Sequence, residues 1–487
     1  MDMRIGPATI KFGAMVVAVL FLSQPMAHAD RFVATNGVGT TNYTSWETAA
    51  SNIQVALSVA NPSETVWVSN GTYVITNQIA VTNRAASLIG VNGYTKTIVS
   101  MDPLYTNRCF FVSNAILDGF TVSNGRLSGA VNYSGGAGIY VTRTGTVRNC
   151  YLANNICSYT GTYSGGGGMW ASNSMISNCV FCQNQAVQGA FSANSGYGGG
   201  IYCFKDSLVL NSTFATNSAA NGGGGAALVG GNVRNSTFSQ NTSGTNGGGG
   251  AYISASGSLS NCVVFGNTNA AWAAGIYVIG AAGSVAVIDA CLISNNICRS
   301  AGGIGGAGIV ITNNGQIRNC LIANNTNLSS DSFGGGVQLA NAGSNTNTAG
   351  LLNCTVVSNY SINDGGGIAV IGPSNYVVNS IFFANSSSSN NYPNVYNTGS
   401  NSNNFWYCCA NVASAPLPSG QGNITNNPAL AATLRLSGNS PCINAGSNQT
   451  WMINAVDLDG KARIRYGTND MGAYERINEA TTYRVFQ

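Results

Sequence analysis

Only 7% of the 487 residues are charged, against roughly a quarter in an ordinary soluble domain. Glycine, at 63 residues, fills the gap together with abundant Asn, Ser and Thr. The formal net charge is +4, or +3 once Asp2, Arg4 and Lys11 of the leader are gone, and no basic cluster stands out; nucleic acid is therefore not an expected partner. The single histidine, His28, also lies in the leader, which removes histidine catalysis and histidine metal ligation from the mature chain.

The first elements in chain order are a leader and a helix. Arg4 and Lys11, an apolar run from Phe12 to Leu22, and Ala27-His28-Ala29 before Asp30 have the three-part layout of a secretory signal peptide. The apolar run is too short to span a bilayer core of about 30 Å. The expected protein is thus secreted or held at a bacterial cell surface, with no transmembrane segment after cleavage. Residues 46–60 carry the one helical pattern, with Thr44 or Ser45 as N-cap and Pro62 closing it. Such a helix is a natural lid for unpaired strand edges.

From there the chain repeats. Asn149-Cys150, Asn178-Cys179, Asn211-Ser212, Asn235-Ser236, Asn261-Cys262, Ala290-Cys291, Asn319-Cys320, Asn353-Cys354 and Asn379-Ser380 recur every 24 to 34 residues, with Asp118-Gly119 taken as the first member. Units of this length mean a solenoid or a propeller. Five residues after each slot stands an asparagine: Asn124, Asn155, Asn184, Asn217, Asn241, Asn267, Asn296, Asn325, Asn359 and Asn385. These ten are expected to form one stacked line. A glycine-rich run then opens the next turn, and both residue types suit a corner repeated in every coil.

Between corners the pattern has period two. Ile139/Val141, Met169/Ala171, Ile201/Cys203 and Ile276/Val278 form one inward row, and Cys150/Leu152, Cys179/Phe181 and Cys320/Ile322 a second. Units too short for a propeller blade favour an all-β, right-handed parallel β-helix of about ten coils with an N-terminal capping helix and a small C-terminal cap. The expected organisation is a signal peptide over 1–29, an N-terminal cap and first coils over 30–105, repeats over 106–400 and a C-terminal cap region over 401–487. The slot cysteines, Cys150, Cys179, Cys262, Cys291, Cys320 and Cys354, are read as core thiols; disulfides are favoured among Cys408, Cys409 and Cys442.

Residues alternating with the first inward row, Tyr140, Trp170, Tyr202, Tyr252 and Tyr277, must point away from the column. They are the candidate ligand-binding platform, since an aromatic face stacks on the C–H face of a sugar ring. Arg143 and Lys205, five residues past the glycine and two coils apart, are candidates for an acidic sugar's carboxylate. The same row also reads as aromatic pairs that stabilise a sheet without a ligand.

Phe181-Cys-Gln-Asn184, Phe214-Ala-Thr-Asn217, Phe238-Ser-Gln-Asn241 and Phe382-Phe-Ala-Asn385, with Gly-Gly-Gly-Ile201 and Gly-Gly-Gly-Ile368, resemble the FxxN and GGA-I repeats of chlamydial polymorphic outer-membrane proteins. The third glycine departs from their alanine, and no translocator barrel fits after the repeats. The tail, with Ser440-Pro-Cys-Ile-Asn-Ala-Gly446 and Asp470-Met-Gly-Ala-Tyr-Glu475, resembles that of choice-of-anchor β-helix proteins. These resemblances imply an exported β-helix of mixed function.

The acids inside the repeats are sparse. Residues 138–400 hold only Asp206, Asp289, Asp331 and Asp364, and calcium needs several carboxylates in one place. Asp331 and Asp364, on adjacent coils, could approach the separation a glycosidase needs, but read more simply as solvated turn residues. Asp289 shares its slot with Arg318 one coil later, which suggests a cross-strand ion pair. Asp457-Leu-Asp459-Gly460 begins like a calcium loop but lacks the closing Glu. No catalytic residue, metal or cofactor is assigned. The expected function is a non-enzymatic surface or matrix protein that binds an extracellular polysaccharide or cell-surface glycan, with a polysaccharide lyase or glycoside hydrolase as the alternative; Lys205 and Asp206 would supply the base.

Overall fold

The computed structural model describes residues 29–476 apart from 41, 83–86, 130–133, 163, 188–194, 282, 300–304, 341–347, 390, 399–403, 411–416 and 418–419. The signal peptide expected over 1–29 lies, but for its last residue, outside the described residues. No helix among the described residues is long and apolar enough to cross a membrane.

One coil shows how the sequence makes the fold. Ile139–Thr142 runs to a turn at Arg143 and Thr144, both left-handed. Thr146–Arg148 follows, then the Asn149-Cys150 corner, Tyr151–Ala153, the Asn154-Asn155 corner and Ile156–Tyr159. The glycine run then returns the chain to Met169–Ser172, paired in parallel with Ile139–Thr142. Repetition builds four parallel sheets of 12, 14, 13 and 10 strands among the described residues, called here the first to fourth in the order just given. The fourth counts the ten repeat units, and coils at both ends lack its strand. Strands that return in parallel to the same sheet wind right-handed in nearly all cases, and the fold is an all-β parallel β-helix.

Sequence periodicity shows two strands per coil, where the structure has four. Most strands of the second sheet present a single inward residue, such as Val147 or Ile176, and one residue cannot display a period. The fourth sheet mostly uses two-residue strands, and its Cys157 and Cys298 pack into small clusters outside the main column. The main core is one column of Ile139, Val141, Val147, Cys150, Leu152 and their equivalents. Within it Phe181, Phe214 and Phe238 stack with ring centroids 4.7 Å apart at each step.

The asparagine line is present from Asn155 to Asn385. Each Nδ2 donates to the next coil's Oδ1, at 2.9 to 3.0 Å, and each backbone N–H donates to that same oxygen. The second amide hydrogen goes to a carbonyl of the preceding coil, as from Asn267 to Phe238. Asn394 ends the line by accepting from Asn385. Asn124 is a correction: Asp118 pairs with Arg148 and Thr121 with Tyr151, so the first slot is Gly119-Phe120 and Asn124 falls one residue early. Gly125 takes the ladder position and donates to Asn155 Oδ1 at 2.9 Å, while Asn124 donates to Ser100. The ladder also explains the third glycine of each run. A Cβ on Gly168 would lie 2.6 Å from Gly200 O and 3.0 Å from Asn184 Cγ, so alanine cannot sit there without displacing the next coil or the amide.

The helix is shorter than residues 46–60. It spans Ile53–Val59, with Asn52 as N-cap accepting from Gln54 N and Val55 N. Residues before it are drawn into the first coil, where Ala50 exchanges backbone hydrogen bonds with the strand Arg31–Val33. Gln54 Oε1 then accepts from Ala80 N, on the edge strand of the first sheet, at 2.7 Å.

All six slot cysteines are buried free thiols. Cys408 does not lie outside the ladder as expected. Asn404–Trp406 pairs with Tyr376–Val378, which places Cys408 opposite Ser380, and its thiol donates to Trp406 O as the slot thiols donate to the carbonyl two residues back.

From Asn427 the chain forms an arm of turns that folds back along the corner between the second and third sheets. Asn319 Nδ2 donates to Val456 O, Asn353 Nδ2 to Asp470 O and Asn379 Nδ2 to Ser447 O. The arm's interior is charged. Arg463 is fully buried and pairs with Glu475 at 3.1 Å, and Asp457 and Asp470 are 2% exposed beside them. Asp457 accepts from the backbone of Asp459, Lys461 and Glu475, and Asp459 pairs with Arg435 and Lys461. The Asp457-Leu-Asp459-Gly460 stretch is thus a turn whose carboxylates are already engaged.

Two predictions follow from these contacts. Replacing Asn267 or Asn296 with Ala leaves buried backbone groups unpaired and costs about 1–3 kcal/mol, measured as a fall in the denaturation midpoint at unchanged slope. In the arm, burial pushes the Glu475 carboxyl from its ordinary 4.5 up to about 8, against the pull of Arg463 and with Asp470 and Asp457 adding to the rise. A raised carboxyl holds its proton better in the folded arm, so its contribution is complete below 4.5 and is lost as pH rises through about 8. Hydrogen exchange, corrected for intrinsic rates, should show Met471 and Gly472 amides losing protection from pH 5 to pH 8 relative to the Asn267 amide, and Glu475→Gln should flatten the change.

Candidate functional site

The outward row of the first sheet is continuous in register: Phe111, Tyr140, Trp170, Tyr202, Ala227, Tyr252 and Tyr277 pair on successive coils. Parallel strands stack equivalent side chains about 4.8 Å apart, and the rings follow. Centroids are 5.6 Å apart for Phe111–Tyr140, 4.5 Å for Tyr140–Trp170 and 6.4 Å for Trp170–Tyr202. Ala227 interrupts the stack, and Tyr252 and Tyr277 resume it at 6.0 Å with tilted rings.

All five aromatics point out of the column, yet they are not all at the surface. Trp170, Tyr202 and Tyr277 are 3%, 1% and 2% exposed. Tyr197 and Phe204 pack on the Trp170–Tyr202 cluster, and Trp272 on Tyr277. Tyr197 and Trp272 come from the segments that lead from the fourth sheet back to the first. The expected five-ring platform is therefore corrected: Trp170 and Tyr202 are buried in one small cluster and Tyr277 in another, and Tyr140 and Tyr252 are half-buried.

The stack opens at its Tyr140 end. A groove of about 670 Å³ is lined there by Thr82, Arg108, Phe111, Ser113, Asn114, Ser134, Tyr140, Thr142 and Arg143. Arg108 is its fixed cation. Nε donates to the carbonyls of Gly135 and Gly136, Nη2 to Gly135 O at 2.7 Å and Nη1 to Gln78 Oε1 at 3.0 Å. Its guanidinium carbon lies 5.0 Å from the Tyr140 ring centroid, within cation–π range. Burial pulls the Arg108 pKa down, partly offset by Tyr159 and Cys157, and a guanidinium stays charged. Arg143 is exposed at the first-to-second-sheet turn, with φ 52°. Lys205 occupies the same left-handed place with φ 53° two coils on, near the Phe204 ring. The structure thus joins Arg143 and Tyr140 in one groove and leaves Lys205 outside it.

Arg108 and Phe111 escape the sequence reading because the outward row is read from the strand after each glycine run, and no such run precedes Phe110–Ser113. The in-phase pair Phe110/Val112 was the available signal. No carboxylate lines the groove among the described residues. Asp289 pairs with Arg318 at 3.1 Å, and Asp364 accepts from Ser389. No group of three His, Cys, Asp or Glu among the described residues is arranged to hold a metal.

No protein-family model and no curated protein matches the sequence. Solved structures similar to the chain include pectate lyase Pel9A, 16% identical over 93% of this chain and 98% of that one, with a TM-score of 0.35. A rhamnogalacturonan lyase is 13% identical over 90% and 95%, at 0.35, and the Dettilon tailspike protein 13% identical over 77% and 70%, at 0.40. The fold assignment rests on the strand pairing itself.

Burial changes what the central rings are expected to do when removed. Trp170→Ala takes a ring out of a packed cluster and should cost about 3–5 kcal/mol, read as a lowered unfolding midpoint.

Proposed function

We propose that the chain is an exported β-helix that binds an extracellular or cell-surface glycan, with the groove at Phe111, Tyr140, Arg108 and Arg143 as its contact site. One observation carries this reading: the aromatic row, covered at Trp170 and Tyr202, is open among the described residues where a half-buried and an exposed guanidinium flank its last rings. Aromatic edges and faces take the apolar side of a sugar, Ser113, Asn114, Ser134 and Thr142 offer hydroxyls and amides, and the arginines favour an acidic sugar. With no carboxylate among the described lining residues, the groove supports binding in preference to acid–base cleavage.

The test is a glycan-array screen with the mature chain, followed by titration of the best acidic oligosaccharide. Arg143→Gln, at an exposed side chain, should weaken binding about tenfold, equivalent to 1.4 kcal/mol, with the melting temperature unchanged and the loss smaller at high salt. Unchanged affinity in Arg143→Gln and in Phe111→Ala would place glycan binding elsewhere; Lys205→Gln is the control expected to bind normally.

A further inference from the structure

Thirteen of the 14 cysteines are buried free thiols, and Cys182 is half-buried; one pair stands apart by geometry. The slot cysteines occupy equivalent positions on neighbouring strands, and Cys150, Cys179, Cys262, Cys291, Cys320, Cys354 and Cys408 each donate to the carbonyl two residues earlier. Their Cα–Cβ vectors run parallel, so stacking holds Cβ atoms about 4.8 Å apart, beyond the 3.5–4.5 Å usual in a disulfide. Cys409 is different. Cys408 and Ala410 point into the column, and Cys409 points out of it, into a separate small core with Ile381, Leu436, Cys442 and Met471. Cys442 is brought there by the arm, held by Met471 N donating to its carbonyl at 3.0 Å. The two thiols therefore meet from opposite sides of an interface.

We infer that Cys409 and Cys442 are a disulfide site that locks the C-terminal arm to the last coil. Formation needs a disulfide oxidant, either glutathione disulfide or an exchange-active protein disulfide. One cysteine thiolate attacks an oxidant sulfur to give a mixed disulfide and release one thiol. The second thiolate then attacks the protein sulfur of that mixed disulfide, forming the Cys409–Cys442 bond and releasing the other oxidant thiol. The pair loses two electrons to the oxidant, and its two protons end on the released thiols. Both residues are 0% exposed, and contact with Cys442 followed by burial pushes the Cys409 thiol up. Oxidation therefore belongs to the stage before the arm closes, when a thiolate is accessible. The bond closes a loop across the interface and restrains the arm even when the charge cluster at Arg463 and Glu475 is weakened.

Refolding the purified mature chain in a glutathione and glutathione disulfide buffer tests the pair independently of export. After alkylation of remaining thiols and digestion without reductant, mass spectrometry should find the Cys409 and Cys442 peptides linked and the slot cysteines alkylated. Both peptides recovered alkylated, or either linked to another cysteine, would overturn the assignment. For the locking role, proteolysis within residues 427–476 should accelerate at least tenfold when the oxidised wild type is reduced. The Cys409→Ser/Cys442→Ser variant should be cut at the fast rate with or without reductant. A wild-type rate that does not respond to reductant would refute the lock; if the double variant does not fold, Cys442→Ala alone serves the same comparison.

Discussion

Every coil must turn through the same corner without leaving buried backbone amides unpaired, and the asparagine ladder is how this chain meets that demand. An unsatisfied buried N–H costs about 1–3 kcal/mol, and the narrow column has nine ladder positions from Asn155 to Asn385 where one would arise. At each after Asn155, one Oδ1 accepts both a backbone N–H and an amide from the coil before, as Asn241 does from Asn217. The repeat is locked in phase by that geometry. A one-residue slip would carry the apolar rows out of the column, and the glycine beside each amide leaves no space for a Cβ. Strand register, core packing and the alignment of outward residues all depend on the ladder.

Because the ladder keeps the strands in register, residues that never touch the column still stack. This gives the outer row of the first sheet a core of its own wherever a connecting segment lies over it. Coils with Tyr197 or Trp272 in the connection bury their rings, and among the described residues no such ring lies over the Arg108–Tyr140 groove. Access to the row is set by the connections, which are the least regular part of each unit.

This difference also marks what could be read from the residues. Period two identifies the side of a strand: it turns Ile139, Met169 and Ile201 inward and Tyr140, Trp170 and Tyr202 outward, as the structure does. Outward is not the same as exposed at Trp170 and Tyr202, because Tyr197, from the connection outside the periodic segment, packs over them with Phe204. The all-β parallel solenoid was legible because spacing, corner chemistry and alternation agree. The second sheet is hard to read because most of its strands carry one inward residue, and Asn124 falls one residue out of place because its coil lacks the Asn-Cys dipeptide. The arm's docking was invisible for another reason: its contacts with Asn319, Asn353 and Asn379 link residues 68 to 137 positions apart, and no local pattern reports them.

Those three asparagines show how the arm uses the repeat. Left-handed at φ 54°, 48° and 53°, they hold the second-to-third-sheet corner, as do Asn149 and Asn178 farther back. Asn178 donates to Asn149 Oδ1 along the stack. Asn379 likewise donates to Asn353 Oδ1 at 3.1 Å, and it also donates to Ser447 O and accepts from Ser447 N. A corner asparagine chosen for its backbone conformation thus brings an amide with donors and an acceptor to spare to each coil that carries it. A partner need only present backbone groups at the coil spacing to dock there, and the arm does so while keeping Arg463 and the Asp457, Asp470 and Glu475 carboxylates in its own interior. The apolar column takes up none of those charges, and the buried pair Arg31–Glu64 belongs to the first coil, at the other end of the solenoid.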